Sequence, residues 1–185
     1  MGAMNELIDE RTVRLLRELL LAADDSRGWA EVEDSARRVD GLQLRARSDL
    51  VARAILRDLG TPDGDSADYP QLAAIVRRAL DEPRFTGWMI WPVSEAVATA
   101  ALEPVDGFDA SGDVNEEHFD DGLRLLAQLT PRLSGEFAIR RFLIADLERA
   151  IAGILPWTHS SDEHVRRLAS EGTRPFLPWA VRVPR

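Results

Sequence analysis

Two glutamates, Glu136 in the run GEFAIR and Glu171 in SEGTRP, carry the chemistry a reader meets first in this chain. Around them, within residues 133–183, stand Arg140, Arg141, Arg166, Arg167, Arg174 and Arg182, with Phe137, Trp157 and Trp179 interleaved. A carboxylate can stabilise a developing positive charge or take a proton from water. A guanidinium fork can hold two oxygens of one phosphate, and an aromatic face attracts a cation. All 23 basic residues are arginine and none is lysine, so a Schiff base through a lysine amine is impossible. Attack on a sugar or a carbonyl must therefore use water, a carboxylate, a hydroxyl or the terminal amine. There is no cysteine, which excludes disulfides, thiolate metal sites and a thiol nucleophile and fits a reducing compartment.

Plainer readings of the same residues stand beside these. Glu163, Arg167 and Glu171 fall at i, i+4 and i+8, the spacing of a salt-bridge ladder on a helix surface. Arg140 and Arg141 read as a solvated pair as readily as a phosphate clamp. Trp157 follows Pro156 and reads as a packing residue; Trp88 and Trp91 read as core anchors, and Phe142, Leu143 and Ile144 as core. His118, His159 and His164 lack a helical ligand spacing and an obvious third ligand, so no metal is expected. Ser134, Ser160, Ser161 and Ser170 lack a nucleophile-elbow motif.

The elements that must position this block are helical. Apolar residues at Leu7, Ile8, Val13, Leu15, Leu16, Leu19 and Leu20 predict an amphipathic helix over 5–23. A short helix over 29–39 follows, then a third over 42–59, with Gly60 as its expected left-handed stop. Residues 61–68 read as a loop, 69–81 as a fourth helix, and Pro92 suits the first turn of a fifth running to 102. Residues 103–112 read as a loop and 116–129 as a helix. Ser134 is the expected cap of a long helix with a break near Ala145 and Asp146. Ser161 or Asp162 is expected to cap a helix ended by Gly172. No sustained period-2 run predicts a strand. Eight to ten short helices with short turns predict an all-α domain, a HEAT-like helical repeat solenoid of paired antiparallel helices spanning 1–185 as one domain, with residues 1–4 a start region. A compact helical bundle is the alternative architecture.

Length and composition agree with a soluble globular chain: 185 residues, 45% hydrophobic and 30% charged. No apolar run approaches a membrane span, and residues 1–12 lack the apolar core of a signal peptide, so a cytoplasmic location is expected. The net charge of -9 is unevenly spread. Residues 1–131 carry 14 arginines against 26 acids, whereas residues 132–185 carry 9 arginines against 6 acids. The basic excess coincides with the Glu–Arg–aromatic block, so an acidic total does not exclude a polyanionic partner.

The run GEFAIRRFL followed by WTHSSDEHVRRLASEGTRPFLPWA resembles the AlkC-like DNA alkylation-repair glycosylases. YPQLAAIVRRAL, GWMIWPVSEAVA and LLAQLT resemble the same family in the same order, so the resemblance covers nearly the whole chain. It implies a HEAT-like fold and a monofunctional glycosylase that removes cationic alkylated purines such as 3-methyladenine from double-stranded DNA, without a cofactor. By motif, Glu136 and Phe137 match the family's active-site Glu-Phe, and Arg167, Glu171 and Trp179 its cleft Arg, Glu and Trp. Glu136 and Glu171 are then the expected catalytic carboxylates. Trp179 and Phe137 become contacts to the cationic base or sugar, and Arg166, Arg167, Arg174 and Arg140 contacts to phosphates, on DNA in the nucleoid. Val183 departs from the family, standing where a second tryptophan is expected. The family also continues with further helical repeats beyond the position of Arg185. A helical-repeat module that binds DNA or protein without catalysis is the alternative function, and a scaffold with no nucleic-acid role a third.

Overall fold

The structure, a computed structural model, describes residues 6–60, 68–103 and 114–176. It is all-α. Among the described residues there are nine α-helices and no strand. By internal contacts the chain divides into two compact units, residues 1–96 and 97–185.

In the first unit a 3-10 turn, Glu6–Ile8, precedes α1, Glu10–Ala23. The helix expected over 5–23 is thus interrupted at Asp9. Its carboxylate accepts from the Thr12 backbone N–H at 2.7 Å and opens α1. Val13, Leu16, Leu19 and Leu20 form the buried stripe of α1. Helix α2, Ala30–Arg38, has no cap of its own. Asp58, near the end of α3 (Leu44–Leu59), supplies one by accepting from the backbone N–H groups of Glu31 and Val32 at 3.1 and 3.0 Å. Trp29 turns the chain into α2 in the left-handed region (φ 50°). That conformation is costly for a bulky residue, and burial of the indole with an N–H bond to the Asp24 carbonyl (3.2 Å) holds it. Helix α2 packs on α1 and α3. Helix α4, Tyr69–Leu80, starts at the Asp68 cap with Pro70 in its first turn and packs on α1. Consecutive helices packed in this way are the HEAT-like arrangement the sequence predicts.

Gly60 does not take the expected left-handed stop. It closes α3 in an extended conformation (φ −65°, ψ 159°). Of the two expected loops, residues 61–67 and 104–113 lie outside the described residues.

Helix α5, Ile90–Ala101, is buried on nearly every side, as its predominantly apolar sequence requires, with Ser94 and Glu95 buried among the apolar residues. The division between units falls inside it. Trp91 is buried, and its indole N–H reaches Glu95 at 3.2 Å; Trp88, half-buried, lies 6.1 Å away between ring centroids.

The second unit holds α6 (Glu116–Leu129), α7 (Ile139–Ala145), α8 (Leu147–Ile154), a 3-10 turn (Leu155–His159) and α9 (Glu163–Glu171). Asn115 caps α6 by accepting from His118 N–H at 3.0 Å. Phe119 of α6 meets Phe142 of α7 edge to face, with ring centroids 5.1 Å apart. Gly122 makes this approach possible: a Cβ there would stand 2.7 Å from Ala101 Cβ and 2.8 Å from Phe142 Cζ. Ser134 does not cap α7. It lies in the turn before the helix, which starts at Ile139 without a side-chain cap. The break near Ala145 is present. Asp146 (φ −150°, ψ 100°) ends α7 through its N–H to Phe142 O and caps α8 by accepting from Arg149 N–H, both at 3.0 Å. Ile144, expected in the core, is exposed with Leu147, Ile151 and Leu155. The short α7 points Ile139, Arg140, Phe142 and Leu143 inward instead.

Candidate active site

The site is built where the turn leading into α7 faces α9. Glu136 and Phe137 lie in that turn, and Gly135 N–H is held by the Thr130 hydroxyl at 3.3 Å at the end of α6. Asp162 fixes the start of α9 by accepting from the backbone N–H groups of His164 and Val165 at 2.8 and 3.2 Å. The helix then buries Val165, Leu168 and Ala169, which turns Arg167 and Glu171 to the opposite, solvent-facing side at i, i+4 spacing.

Arg167 donates to Glu136 and forms the ion pair that joins the two elements. The Glu136 side chain is only 14% exposed while that of Arg167 is 58% exposed, so the pair sits at a surface with the carboxylate on the inner side. Arg174 pairs with Glu171 at 2.8 Å, again with the guanidinium outermost (59% against 21% exposed). Glu136, Arg167, Glu171 and Arg174 therefore alternate in charge over one stretch of surface. The sequence ladder is partly redrawn: the shown ion-pair partner of Arg167 is Glu136, across the turn, rather than Glu163 or Glu171 on its own helix. Arg166 is exposed, and its guanidinium donates to the carbonyls of Ser160 and Ser161 at 2.6 and 2.9 Å. Trp179, Arg182 and Val183 lie outside the described residues.

Arg140 does not reach this surface. It is fully buried and donates to the carbonyls of Gly172 (3.3 Å), Arg174 (2.7 Å) and Pro175 (3.1 Å). A phosphate cannot approach a guanidinium so placed, which corrects the sequence expectation for this residue. The loss of hydration lowers its pKa from the ordinary arginine value. Arg141, half-buried, donates to the Thr99 hydroxyl.

Two positioning residues escape a reading by type. Gly172 ends α9, and a Cβ there would stand 2.8 Å from Leu168 O and 2.9 Å from Ile139 Cγ2. The glycine reads in sequence as a helix stop, but the closeness of Ile139 is a tertiary demand with no sequence signal. Arg149 of α8 grips Asp120 of α6 bidentately, both contacts at 2.8 Å, and reaches Glu116 at 3.0 Å. The Arg149 hydrogen bond holds the Asp120 carboxyl below its usual range. Beside this clamp is a shallow pocket lined by Leu123, Gly153, Pro156 and Trp157, sharing no residue with the Glu136–Arg167 pair. Trp157 is half-buried at its rim rather than packed in the core. Among the described residues no group of three or more His, Asp or Glu side chains is placed to hold a metal ion, and no helix is long and apolar enough to cross a membrane.

The Pseudomonas fluorescens alkylpurine DNA glycosylase AlkC, solved bound to DNA containing an abasic site analog, matches 97% of this chain with a TM-score of 0.75 at 24% identity. The fold is AlkC-like. The AlkC-like region corresponds to 44% of the AlkC chain, so this chain spans less than half of that protein. Over 67 residues it is 46% identical to the uncharacterized protein YhaZ of Bacillus subtilis, covering 36% of this chain and 19% of YhaZ. No family model matches.

Proposed function

We propose that this chain bears the cleft of a monofunctional DNA glycosylase acting on cationic alkylated purines. The observation that carries this reading is the meeting of Glu136, on the turn before α7, with the Arg167–Glu171 face of α9 on an AlkC-like fold. In an N3- or N7-alkylated purine the base already carries positive charge. When the C1′–N bond breaks, the electron pair leaves with the base, which departs neutral and needs little acid help. The barrier lies in the oxocarbenium-like sugar. A carboxylate beside it stabilises that charge and takes a proton from the water that adds to C1′. The products are a free alkylated purine and an abasic site.

Glu136 suits this role because its carboxylate is largely shielded from water, where its field is screened less. Glu171 is the second carboxylate. Arg167 and Arg174 neutralise the two acids before substrate arrives, and each exposes enough of its fork for a phosphate to share it. Arg166 extends this basic edge. Phe137 and Trp179 are assigned to the base and sugar by their aromatic faces, a contribution of about 0.5–2 kcal/mol each. With no lysine, the abasic product cannot proceed through a lysine Schiff base to strand cleavage.

The test is release of methylated purines from alkylated duplex DNA by this chain, beside Glu136→Gln and Glu171→Gln. Release by the parent chain that falls in both variants is the expected result, together with binding to an abasic-analogue duplex that weakens steeply with salt. A second reading, a module that binds without catalysis, is favoured by one observation: each carboxylate is already ion-paired. Salt-sensitive binding without release by the parent chain selects it, and absence of both removes DNA as the partner.

A further inference from the structure

We infer that Arg140 is a positioning residue, tying the backbone that follows α9 to α7 and so setting Glu171 and Arg174 against Glu136. The inference rests on the proposed glycosylase reading. Arg140 lies four residues after Glu136, inside the first turn of α7. From there its two terminal nitrogens span the carbonyls of Gly172, Arg174 and Pro175. The bonded carbonyls fall on both sides of the Arg174 peptide, and the Arg174 guanidinium in turn holds Glu171. One buried side chain thus connects the element bearing the first carboxylate to the segment that orients the second.

The segment needs such a tie. Beyond Gly172, whose N–H still reaches Leu168 O at 2.9 Å, regular helix hydrogen bonding stops. Contacts local to the end of α9 also steady it: Arg174 N–H to Glu171 O at 3.2 Å, the Arg174–Glu171 ion pair at 2.8 Å, and the Thr173 hydroxyl to Ala169 O and Ser170 O at 2.9 and 3.2 Å. Arg140 crosses from another helix. Carbonyls reached from two separate nitrogens suit a planar fork, whereas a lysine ammonium carries its three donors on one nitrogen. A full charge buried among carbonyls, without reaching solvent, also argues that the place is specified: an apolar residue would fill it at lower desolvation cost.

The experiment compares the parent chain with Arg140→Met and Arg140→Lys. Methionine keeps an unbranched stem without the fork; lysine keeps the charge. Two readouts are taken together: amide exchange of Thr173, Arg174 and Phe176 by mass spectrometry, and single-turnover purine release beside affinity for an abasic-analogue duplex. The expected result for Arg140→Met is faster exchange confined to 172–176, release slowed by roughly 10–100-fold, and duplex affinity lowered by much less than the rate, because Arg174 is only one of the arginines assigned to phosphates. Arg140→Lys is expected to fall between the two. Unchanged exchange at 172–176 overturns the tie. Exchange that rises throughout residues 97–185, or affinity that falls as far as the rate, shows a merely structural role and also overturns it. Local exchange with an unchanged release rate overturns the positioning role. If the parent releases no purine the glycosylase reading falls by itself, and the exchange readout alone then decides whether the tie exists.

Discussion

Replacing Gly172 by alanine tests whether the closeness of α7 and α9 sets the site. The added Cβ would meet Ile139 Cγ2 at 2.9 Å and Leu168 O at 2.8 Å. An ordinary contact begins near 3.4 Å, so something must move by about 0.5 Å. The Ile139 methyl branches at Cβ and cannot swing aside without leaving its preferred rotamer, and Leu168 O is backbone. The cheapest relief is a shift of the end of α9 away from α7. Overpacking of this kind costs about 1–3 kcal/mol. For a chain of this length that corresponds to a fall in Tm of roughly 2–12 °C. The same 0.5 Å reaches the limit within which a catalytic constellation works, so purine release is expected to slow on the order of tenfold. Thermal melts followed by circular dichroism, with release assays well below Tm, measure both. Gly153→Ala is the control, since its Cβ would meet only the flexible Leu123 Cδ1, at 3.0 Å, and is expected to leave Tm within about 2 °C. Gly172→Ala that melts and reacts like the parent refutes the argument that Ile139 and Gly172 set this spacing.

Other perturbations probe the supports of the site. Phe142→Ala removes a fully buried ring stacked edge-on against Phe119 and is expected to cost about 3–5 kcal/mol in chemical denaturation. Asp162→Ala removes the cap of α9 and is expected to cost about 1 kcal/mol, with a matching fall in Tm. The Asp120 carboxyl is held below its usual range by Arg149, so its contribution to stability is full above about pH 4 and is lost as pH falls through the lowered folded value. Asp120→Asn is accordingly expected to melt below the parent at pH 7 and to approach it as pH falls below the ordinary aspartate range; a Tm gap that does not narrow on acidification contradicts the assignment.

Much of the architecture was legible because its signals are local. Helix α6, Glu116–Leu129, spans the predicted 116–129, and Asp146 marks the predicted break, between α7 and α8, because a short acceptor side chain interrupts an apolar run. Asp9 carries the same type of signal, but the apolar period continues across it and hides the interruption. Trp29 in a left-handed turn and Asp58 capping a neighbouring helix were not legible, since both depend on what packs against them. At the site, residue types drew attention to Glu136, Arg167, Glu171 and Arg174, and the structure pairs Glu136 with Arg167 and Glu171 with Arg174. What they could not show is which way an arginine faces. Arg140 and Arg141 are adjacent in sequence, yet the former goes inside. A faint signal exists: Arg140 stands three residues before buried Leu143, on the stripe that Ile144 leaves. The sequence supplies three carbonyls for it only through a loop more than thirty residues away.

Asp146 has a bearing on how such a chain can change length. In an unbroken helix, inserting one residue rotates everything beyond it by about 100°. Here the ladders of α7 and α8 both stop at a single extended residue. An insertion beside it alters the joint and leaves the register of each helix intact. The face that presents Arg140 and the face that presents Arg149 can therefore drift apart in sequence spacing without either losing its aim. Length variation between relatives should collect at this position, and an engineered graft of a different α8 has its natural seam there.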